Sequence, residues 1–246
     1  MNQINSPSTF PSLSEGGDER GGLNHLAIIM DGNRRWAKAK GKLAAFGHFE
    51  GYKRFVEIAE LCRQKGIKIL TVYAFSTENW GREKEEVDAL MELLATALKD
   101  QADRLMKDNI KLKVIGRISD LPQNLQVAVK QAEEKTAANT NGILNIALSY
   151  GGRAEIVDAA KSLVADGIKP EEITDEALAS RLYTAGQIDP DLIVRCGGHK
   201  RLSNFLLWQS AYSEIYFTDT LWPDFDEKEL DQAIEFFDST KKNFGK

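Results

Sequence analysis

From His25 onward, short apolar runs alternate with stretches whose apolar residues recur at helical spacing. Leu26–Met30 (LAIIM) is a continuous apolar run that stops at Asp31-Gly32, the pattern of a strand buried on both faces. Ile69–Phe75, Lys111–Ile115, Ile143–Ser149, Asp191–Cys196 and Glu214–Thr218 read as further strands. Helices are expected over His48–Lys65, closed by Gly66, and over Glu83–Asn109. In the latter, Val87, Leu90, Met91, Leu94, Leu98, Leu105 and Met106 form one apolar stripe. Leu121–Ala138, Ala154–Ala165, Asp175–Tyr183 and Glu227–Lys241 complete the helical set. This alternation predicts a single α/β domain with a central, mostly parallel six-stranded sheet flanked by helices.

Composition bounds the function. The 246 residues, 42% hydrophobic and 28% charged, suit one globular domain. Residues 1–24 are rich in Ser, Pro and Gly and are expected to be a disordered tail preceding a domain over 25–246. The tail lacks a basic segment followed by an apolar one, and no apolar run is long enough to span a bilayer, so a cytoplasmic protein is expected. A net charge of −5 argues against a general nucleic-acid binder. Cys62 and Cys196 make no disulfide framework, and the few histidines and cysteines lack zinc-ligand spacing.

Three segments at predicted strand ends, where open α/β sheets gather ligands, carry the candidate chemistry. The first is Asp31-Gly32-Asn33-Arg34-Arg35-Trp36, in which a strand delivers a carboxylate and glycine permits close backbone approach. Asp31 is open to four readings: metal ligand, base, nucleophile, or a turn residue capping a helix. The second is Phe75-Ser76-Thr77-Glu78-Asn79-Trp80-Gly81-Arg82, whose polar residues suit either a ligand's head or the N-cap of the long helix. In the third, Arg195 to Phe205, basic side chains crowd a Gly197-Gly198 pair, a composition suited to phosphate. Together they predict a phosphate-bearing ligand, apolar walls and Mg²⁺, which takes one or two carboxylates plus substrate phosphates. Asp31 and Glu214, both at strand termini, are the candidate carboxylates. There is no GxxxxGK[ST] loop, and no GxGxxG follows the first strand.

These segments resemble the cis-prenyltransferase family. The matching pieces are His25–Asn33 with Arg35-Trp36-Ala37, Gly47-His48, and Tyr73–Trp80 with Arg82. Asn145-Ile146-Ala147, Tyr150–Arg153, Arg195 with Gly197-Gly198, Arg201–Gln209, Glu214–Phe217 and Leu221–Phe225 follow in order. The resemblance implies Mg²⁺-dependent condensation of isopentenyl diphosphate with an allylic diphosphate, farnesyl or shorter, to a cis-polyprenyl diphosphate held in a hydrophobic tunnel. It implies that Asp31 is catalytic and engages the metal with Glu214, and that Gly32, Asn33, Arg34, Arg35 and His48 line the allylic diphosphate. Arg195, Arg201, Leu202 and Ser203 would hold isopentenyl diphosphate. Asn79 stands where the family has its proton acceptor, although an amide is a poor base. Ser76, Thr77, Glu78 and Arg82 complete the substrate-binding set, and Trp36, Phe75 and Trp80 would shape the tunnel mouth.

Three departures from the family pattern stand out, one being Cys196 in place of a small hydroxyl or similar residue. Ala44 occupies a position where the family places an arginine, and Arg34 or Lys42 is expected to compensate. His199 replaces a glutamate after the glycine pair. The alternative readings are a non-catalytic member of the fold or one that joins short prenyl diphosphates irregularly. A phosphohydrolase with Asp31 as nucleophile would want a second Asp at the position of Asn33. The resemblance further implies a homodimer, built around Trp208–Phe225 with its exposed-looking aromatics. Membrane contact is expected only through a long product.

Overall fold

The computed structural model describes residues 22–240. Most of the tail expected over 1–24, and the Lys241 end of the last predicted helix, lie outside them. Leu23 and Asn24 depart from the tail expectation: Leu23 packs into the core, and the Asn24 amide donates to Asp191 Oδ2 at 2.9 Å.

The six strands are β1 (His25–Ile29), β2 (Ile69–Ser76), β3 (Ile110–Ile115), β4 (Gly142–Tyr150), β5 (Leu192–Arg195) and β6 (Glu214–Phe217). They form one sheet in the order β3-β4-β2-β1-β5-β6, and every pair is parallel. β1 lies in the interior and all five of its residues are buried, as its unbroken apolar run requires. The chain runs from β1 to β2 on one side and later returns to β5 on the other. That reversal is where ligands bind in open α/β sheets.

The helices are α1 (Asn33–Ala39), α2 (Ala44–Gln64), α3 (Lys84–Lys107), α4 (Gln123–Thr136), α5 (Gly152–Ala165), α6 (Asp175–Ala179) and α7 (Glu227–Ser239). The period-2 alternation of the strands sorts their side chains onto two unequal faces. Leu26, Ile28, Leu144, Ile146, Leu148, Leu192 and Val194 join the larger core, with α2, α3, α4 and α7. Ala27, Ile29, Ala147 and Ile193 face a smaller cluster around Tyr150, Phe205 and Leu206.

Differences from the expected elements have local causes. α1 was readable only as a possible helix start after Asp31, and α2 begins at Ala44 rather than His48. The face of α2 that packs on α1 carries glycine, and the large apolar residues beside it point outward, so no core-facing stripe marks the helix start: a Cβ on Gly47 would lie 2.2 Å from the Asn33 carbonyl oxygen. α6 stops at Ala179, short of Tyr183, and the chain goes on in turns through Gly186, whose φ is +79°.

Candidate active site

β1 delivers Asp31 to the carboxyl edge of the sheet, and Gly32 turns the chain into α1. Gly32 has φ +115°, and a Cβ there would meet Leu221 Cδ2 at 2.8 Å, so only glycine fits. Arg195 ends β5, the neighbouring strand, with its side chain 5% exposed. Its Nη2 donates to Asp31 Oδ2 at 3.0 Å, and Nη1 donates to Ser203 Oγ at 2.7 Å and to the Arg201 carbonyl. Arg35, on α1, reaches Asp31 Oδ1 at 3.1 Å and donates to the Gly197 carbonyl at 2.7 Å. Asp31 is thus fixed between two arginines from different elements.

Ser203, Asn204 and Leu206 all take left-handed φ values (51°, 66° and 43°), a conformation that side chains rarely adopt. Their loop is tied down at several points. Gly152 donates its amide to the Asn204 carbonyl (2.7 Å), Arg153 donates its amide to Asn204 Oδ1 (2.9 Å), and Asn204 Nδ2 donates to Glu78 Oε1 (3.0 Å). This holds Ser203 and Arg201 against Arg195.

After β2 the chain makes a 3₁₀ turn, Thr77–Gly81, before α3. Asn79 Oδ1 accepts the Ser76 amide at 3.2 Å. The Asn79 side-chain carbonyl is thus engaged in the turn while its Nδ2 can donate to an anion, and as a neutral amide the group is a poor base. Arg82 (3.0 Å), His48 (3.1 Å) and Arg34 (3.4 Å) converge on the Glu86 carboxylate of α3. Burial pushes the Glu86 carboxyl up, but His48, Arg82 and Arg34 outweigh it and hold it below its ordinary value. Burial lowers the His48 pKa; its bond to Glu86 opposes that shift, and Arg82 and Arg34 add to it. A neutral His48 then donates from Nε2 to Glu86.

These side chains bound two adjoining crevices. One is lined by Arg34, Arg35, Lys38, Lys42 and Ala44; the other by Ser76, Glu78, Asn79, Arg195, Arg201 and Ser203. Met30, Asp31, Asn33, His48 and Arg82 border both. Met30, Asn33 and His48 also border a third cavity, of about 90 Å³, running between α2, α3 and the sheet. Its walls are apolar, among them Phe55, Leu90, Leu94, Leu98, Ile146 and Leu148. Two basic crevices thus meet at one carboxylate and open together into an apolar tunnel.

A family model described as putative undecaprenyl diphosphate synthase matches residues 29–245. The chain belongs to this prenyltransferase family. It is 50% identical over 221 residues to an isoprenyl transferase of Fusobacterium nucleatum, covering 90% of this chain and 95% of that one. It is 48% identical to the farnesyl-diphosphate-specific ditrans,polycis-undecaprenyl-diphosphate synthase of Pasteurella multocida, covering 90% and 94%. Among solved structures, lavandulyl diphosphate synthase from Lavandula x intermedia, in complex with dimethylallyl diphosphate, superposes with a TM-score of 0.87. Identity is 39%, with coverage of 91% of this chain and 98% of that one. A probable undecaprenyl diphosphate synthase from Campylobacter jejuni gives a TM-score of 0.77 at 38% identity, covering 91% and 99%.

Against the sequence expectations, the prenyltransferase gathers Asp31, Gly32, Asn33, Arg34, Arg35, His48, Ser76, Glu78, Asn79, Arg82, Arg195, Arg201 and Ser203 around the two crevices. Several others stand elsewhere. Trp36 is buried on the far side of α1, where its Nε1 donates to Asp224 Oδ1 at 2.7 Å and its ring stacks on Phe46. It does not shape the tunnel mouth. Phe75 and Trp80 form an edge-to-face pair inside the core, with Trp80 Nε1 donating to Ser149 Oγ. Thr77 faces Gly151, and Leu202 packs on the smaller core cluster.

Glu214 is a correction. It begins β6, level with Leu192, whereas Asp31 lies beyond Ile29, which is level with Arg195. At about 3.3 Å per residue the two carboxylates stand roughly 15 Å apart along the strands, so within one chain they cannot share an ion. Trp222 and Phe225 are buried and stacked on each other, so the aromatics expected at a dimer face reduce to residues such as Tyr212, 90% exposed.

No group of three or more His, Cys, Asp or Glu capable of holding a metal occurs among the described residues. Asp31, the one carboxylate that borders both basic crevices, nevertheless fits Mg²⁺, which takes one or two carboxylates and completes its shell with substrate phosphates and water.

Sequence reasoning missed Glu86, whose only signal was its i, i+4 spacing from Arg82. It also missed Lys38 and the clamp residue Asn204, as well as Tyr73, whose hydroxyl donates to the Tyr150 carbonyl at 3.0 Å beneath the second crevice.

Proposed function

We propose that this prenyltransferase condenses isopentenyl diphosphate with an allylic diphosphate, farnesyl or shorter, to build a cis-polyprenyl diphosphate with Mg²⁺. The observation that carries the reading is the junction of two basic crevices at Asp31, opening into the apolar tunnel. An enzyme joining two small units would need the crevices and no tunnel.

The allylic diphosphate takes the crevice of Arg34, Arg35, Lys38, Lys42 and Arg82, with its hydrocarbon pointing past Met30 and His48 into the tunnel. Breaking its C1–O bond leaves a delocalised cation and concentrates negative charge on the diphosphate. Fixed arginines stabilise that charge without reorganising. Asp31 would hold Mg²⁺, which when bound would supply Lewis-acid stabilisation of a departing diphosphate. Arg195, Arg201 and Ser203 hold isopentenyl diphosphate in the second crevice, which sets its double bond beside the allylic C1. The new C–C bond forms there, and the resulting cation loses a proton. The Asn79 amide is too weak a base to take it, so a diphosphate oxygen is the acceptor at hand. Apolar walls keep water from quenching the cation, and the lengthened chain moves into the tunnel.

We take the working unit to be a cytoplasmic homodimer; the exposed Tyr212 beside edge strand β6 supports such a face. Incubation with isopentenyl and farnesyl diphosphates plus Mg²⁺, followed by sizing of the products, tests the reading. A ladder of long polyprenyl diphosphates is expected. Intact substrates overturn it in favour of a non-catalytic member, and a single short branched product in favour of irregular coupling.

A further inference from the structure

The outward face of α2, beside the first crevice, is apolar and basic. Leu43, Phe46 and Phe49 are 82%, 40% and 46% exposed, and their three-residue spacing puts them in one row along the helix. Gly47 and Gly51, on a different face of the same helix, pack tightly against Asn33. Lysines interleave with the aromatic rings. Lys40 Nζ lies 4.2 Å from the Trp36 ring centre, Lys42 5.8 Å from that of Phe46, and Lys53 5.3 Å from that of Phe49. From Gly32 to Phe49 the chain carries Arg34, Arg35, Lys38, Lys40 and Lys42 and no acid, in a protein whose net charge is −5. The acids that face the patch are at its margins: Glu50 pairs with Lys53 at 2.7 Å, and Asp224 accepts from Trp36.

We propose that Leu43, Phe46 and Phe49, with Lys40, Lys42 and Lys53, form a docking surface for an anionic lipid bilayer. Alternating lysines and large apolar side chains suit that boundary. The Phe46 and Phe49 rings and Leu43 enter the acyl edge, while the lysines, on long flexible stems, extend their ammonium groups to headgroup level. Charge decides between occupants, since a local excess of cations on an acidic protein is drawn to anionic headgroups. Position supplies a use for the contact. The same segment forms the rim of the first crevice through Lys38, Lys42 and Ala44, and the inner side of α2 lines the tunnel through His48, Tyr52 and Phe55. A bilayer docked there lies beside the mouth from which a polyprenyl product would leave. That use rests on the proposed function; the binding itself does not.

The test is co-sedimentation of the purified full chain with vesicles of phosphatidylcholine alone and of equal parts phosphatidylcholine and phosphatidylglycerol. Strong binding to the mixed vesicles, weak binding to the neutral ones, and loss at high salt are expected. The double variant Leu43→Glu/Phe49→Glu loses binding. Lys40→Glu/Lys53→Glu weakens it at least tenfold, from a contribution on the order of fivefold per lysine. None of these four residues lines a crevice, so turnover of farnesyl diphosphate in detergent stays at the level of the unaltered protein and shows that the variants fold. Absence of binding to the mixed vesicles, or binding equal in the variants, overturns the proposal. So does a change of oligomeric state in the Leu43→Glu/Phe49→Glu variant without vesicle binding by the parent, which would make the face a contact between copies. Vesicle binding without any prenyl elongation would instead fault the proposed function and leave the docking surface standing.

Discussion

Ala44 leaves a gap in the basic wall of the first crevice, and Arg34 and Lys42 are the cations placed to fill it. Arg34 extends from α1 to within 3.4 Å of Glu86, and Arg34 and Lys42 border the crevice with Lys38. A charge-assisted contact to a diphosphate contributes about 1.5–3 kcal/mol when shielded from water. Arg34 is 57% exposed, so screening reduces its share to about 0.5–1.5 kcal/mol, or roughly three- to tenfold in affinity. Lys42, on the open rim, contributes at the lower end of that range. Alanine is the substitution to use at position 34, because it favours a helix whereas glycine would itself weaken α1. Titration calorimetry with farnesyl diphosphate alone reads affinity directly, free of the kinetic terms that enter KM. Arg34→Ala is expected to weaken binding three- to tenfold, and Arg34→Ala/Lys42→Ala by roughly ten- to thirtyfold if the two act independently. The KM for isopentenyl diphosphate stays unchanged, since Arg195, Arg201 and Ser203 form the other crevice. A double variant whose affinity for farnesyl diphosphate lies within twofold of the parent would refute the compensation argument.

The tunnel and the base of the sheet give two more expectations. Gln101 Nε2 donates to the Tyr52 hydroxyl at 2.9 Å, a polar bar where the main cavity meets a second one of about 70 Å³. Gln101→Ala should open the passage and shift the product ladder to longer chains, and an unaltered ladder would show that the bar does not limit length. His25 is buried beside Thr71 and Ile188, and burial lowers its pKa to about 4 from 6.5. The unfolded chain therefore binds the proton more readily, so the stabilisation is fully present above pH 6.5 and is lost as the pH falls towards 4. The shift corresponds to about 3 kcal/mol. Urea midpoints should fall between pH 7 and pH 4.5, and a His25→Gln variant that shows the same fall would assign it to other groups.

The fold was legible because burial imposes it on the sequence. β1 shows a continuous apolar run because it is covered on both faces, and α3 shows a stripe because one side meets the core while the other meets water. Elements whose environment is set by close approach rather than burial were not readable. α1 and the first turn of α2 meet through Asn33, Gly47 and Gly51, and glycine at a helix crossing looks in sequence like a break. The site showed the same division. Asp31 and Arg195 announced themselves as charged residues at the ends of apolar strands, and Ser203 only through the basic loop that follows. Trp36, Phe75 and Trp80 misled, since an aromatic beside a polar motif reads equally as a wall of the site or as core, and the hydrogen bonds of the two tryptophans to Asp224 and Ser149 decide for core. Glu214 misled for a topological reason: a strand terminus in sequence does not say which edge of a parallel sheet it occupies.

Glu86 gives the net charge its proper place in the argument. Cations gathered to receive diphosphates repel one another, and a site built only of arginines and lysines would cost stability before any substrate arrived. Each half of this site carries its own counterion: Asp31 lies between Arg35 and Arg195, and Glu86 lies among Arg34, Arg82 and His48. The carboxylates also fix the guanidinium groups where they are needed, so an incoming diphosphate meets donors already oriented. The two anchors differ in consequence. Asp31 borders both crevices and shares its arginines with whatever binds in either. Glu86 borders neither, so it acts only by holding Arg34, Arg82 and His48 in place. A chain with more acids than bases can therefore present a strongly anion-seeking surface. What counts is which cations the carboxylates hold at the strand ends, and that arrangement is invisible in the total of −5.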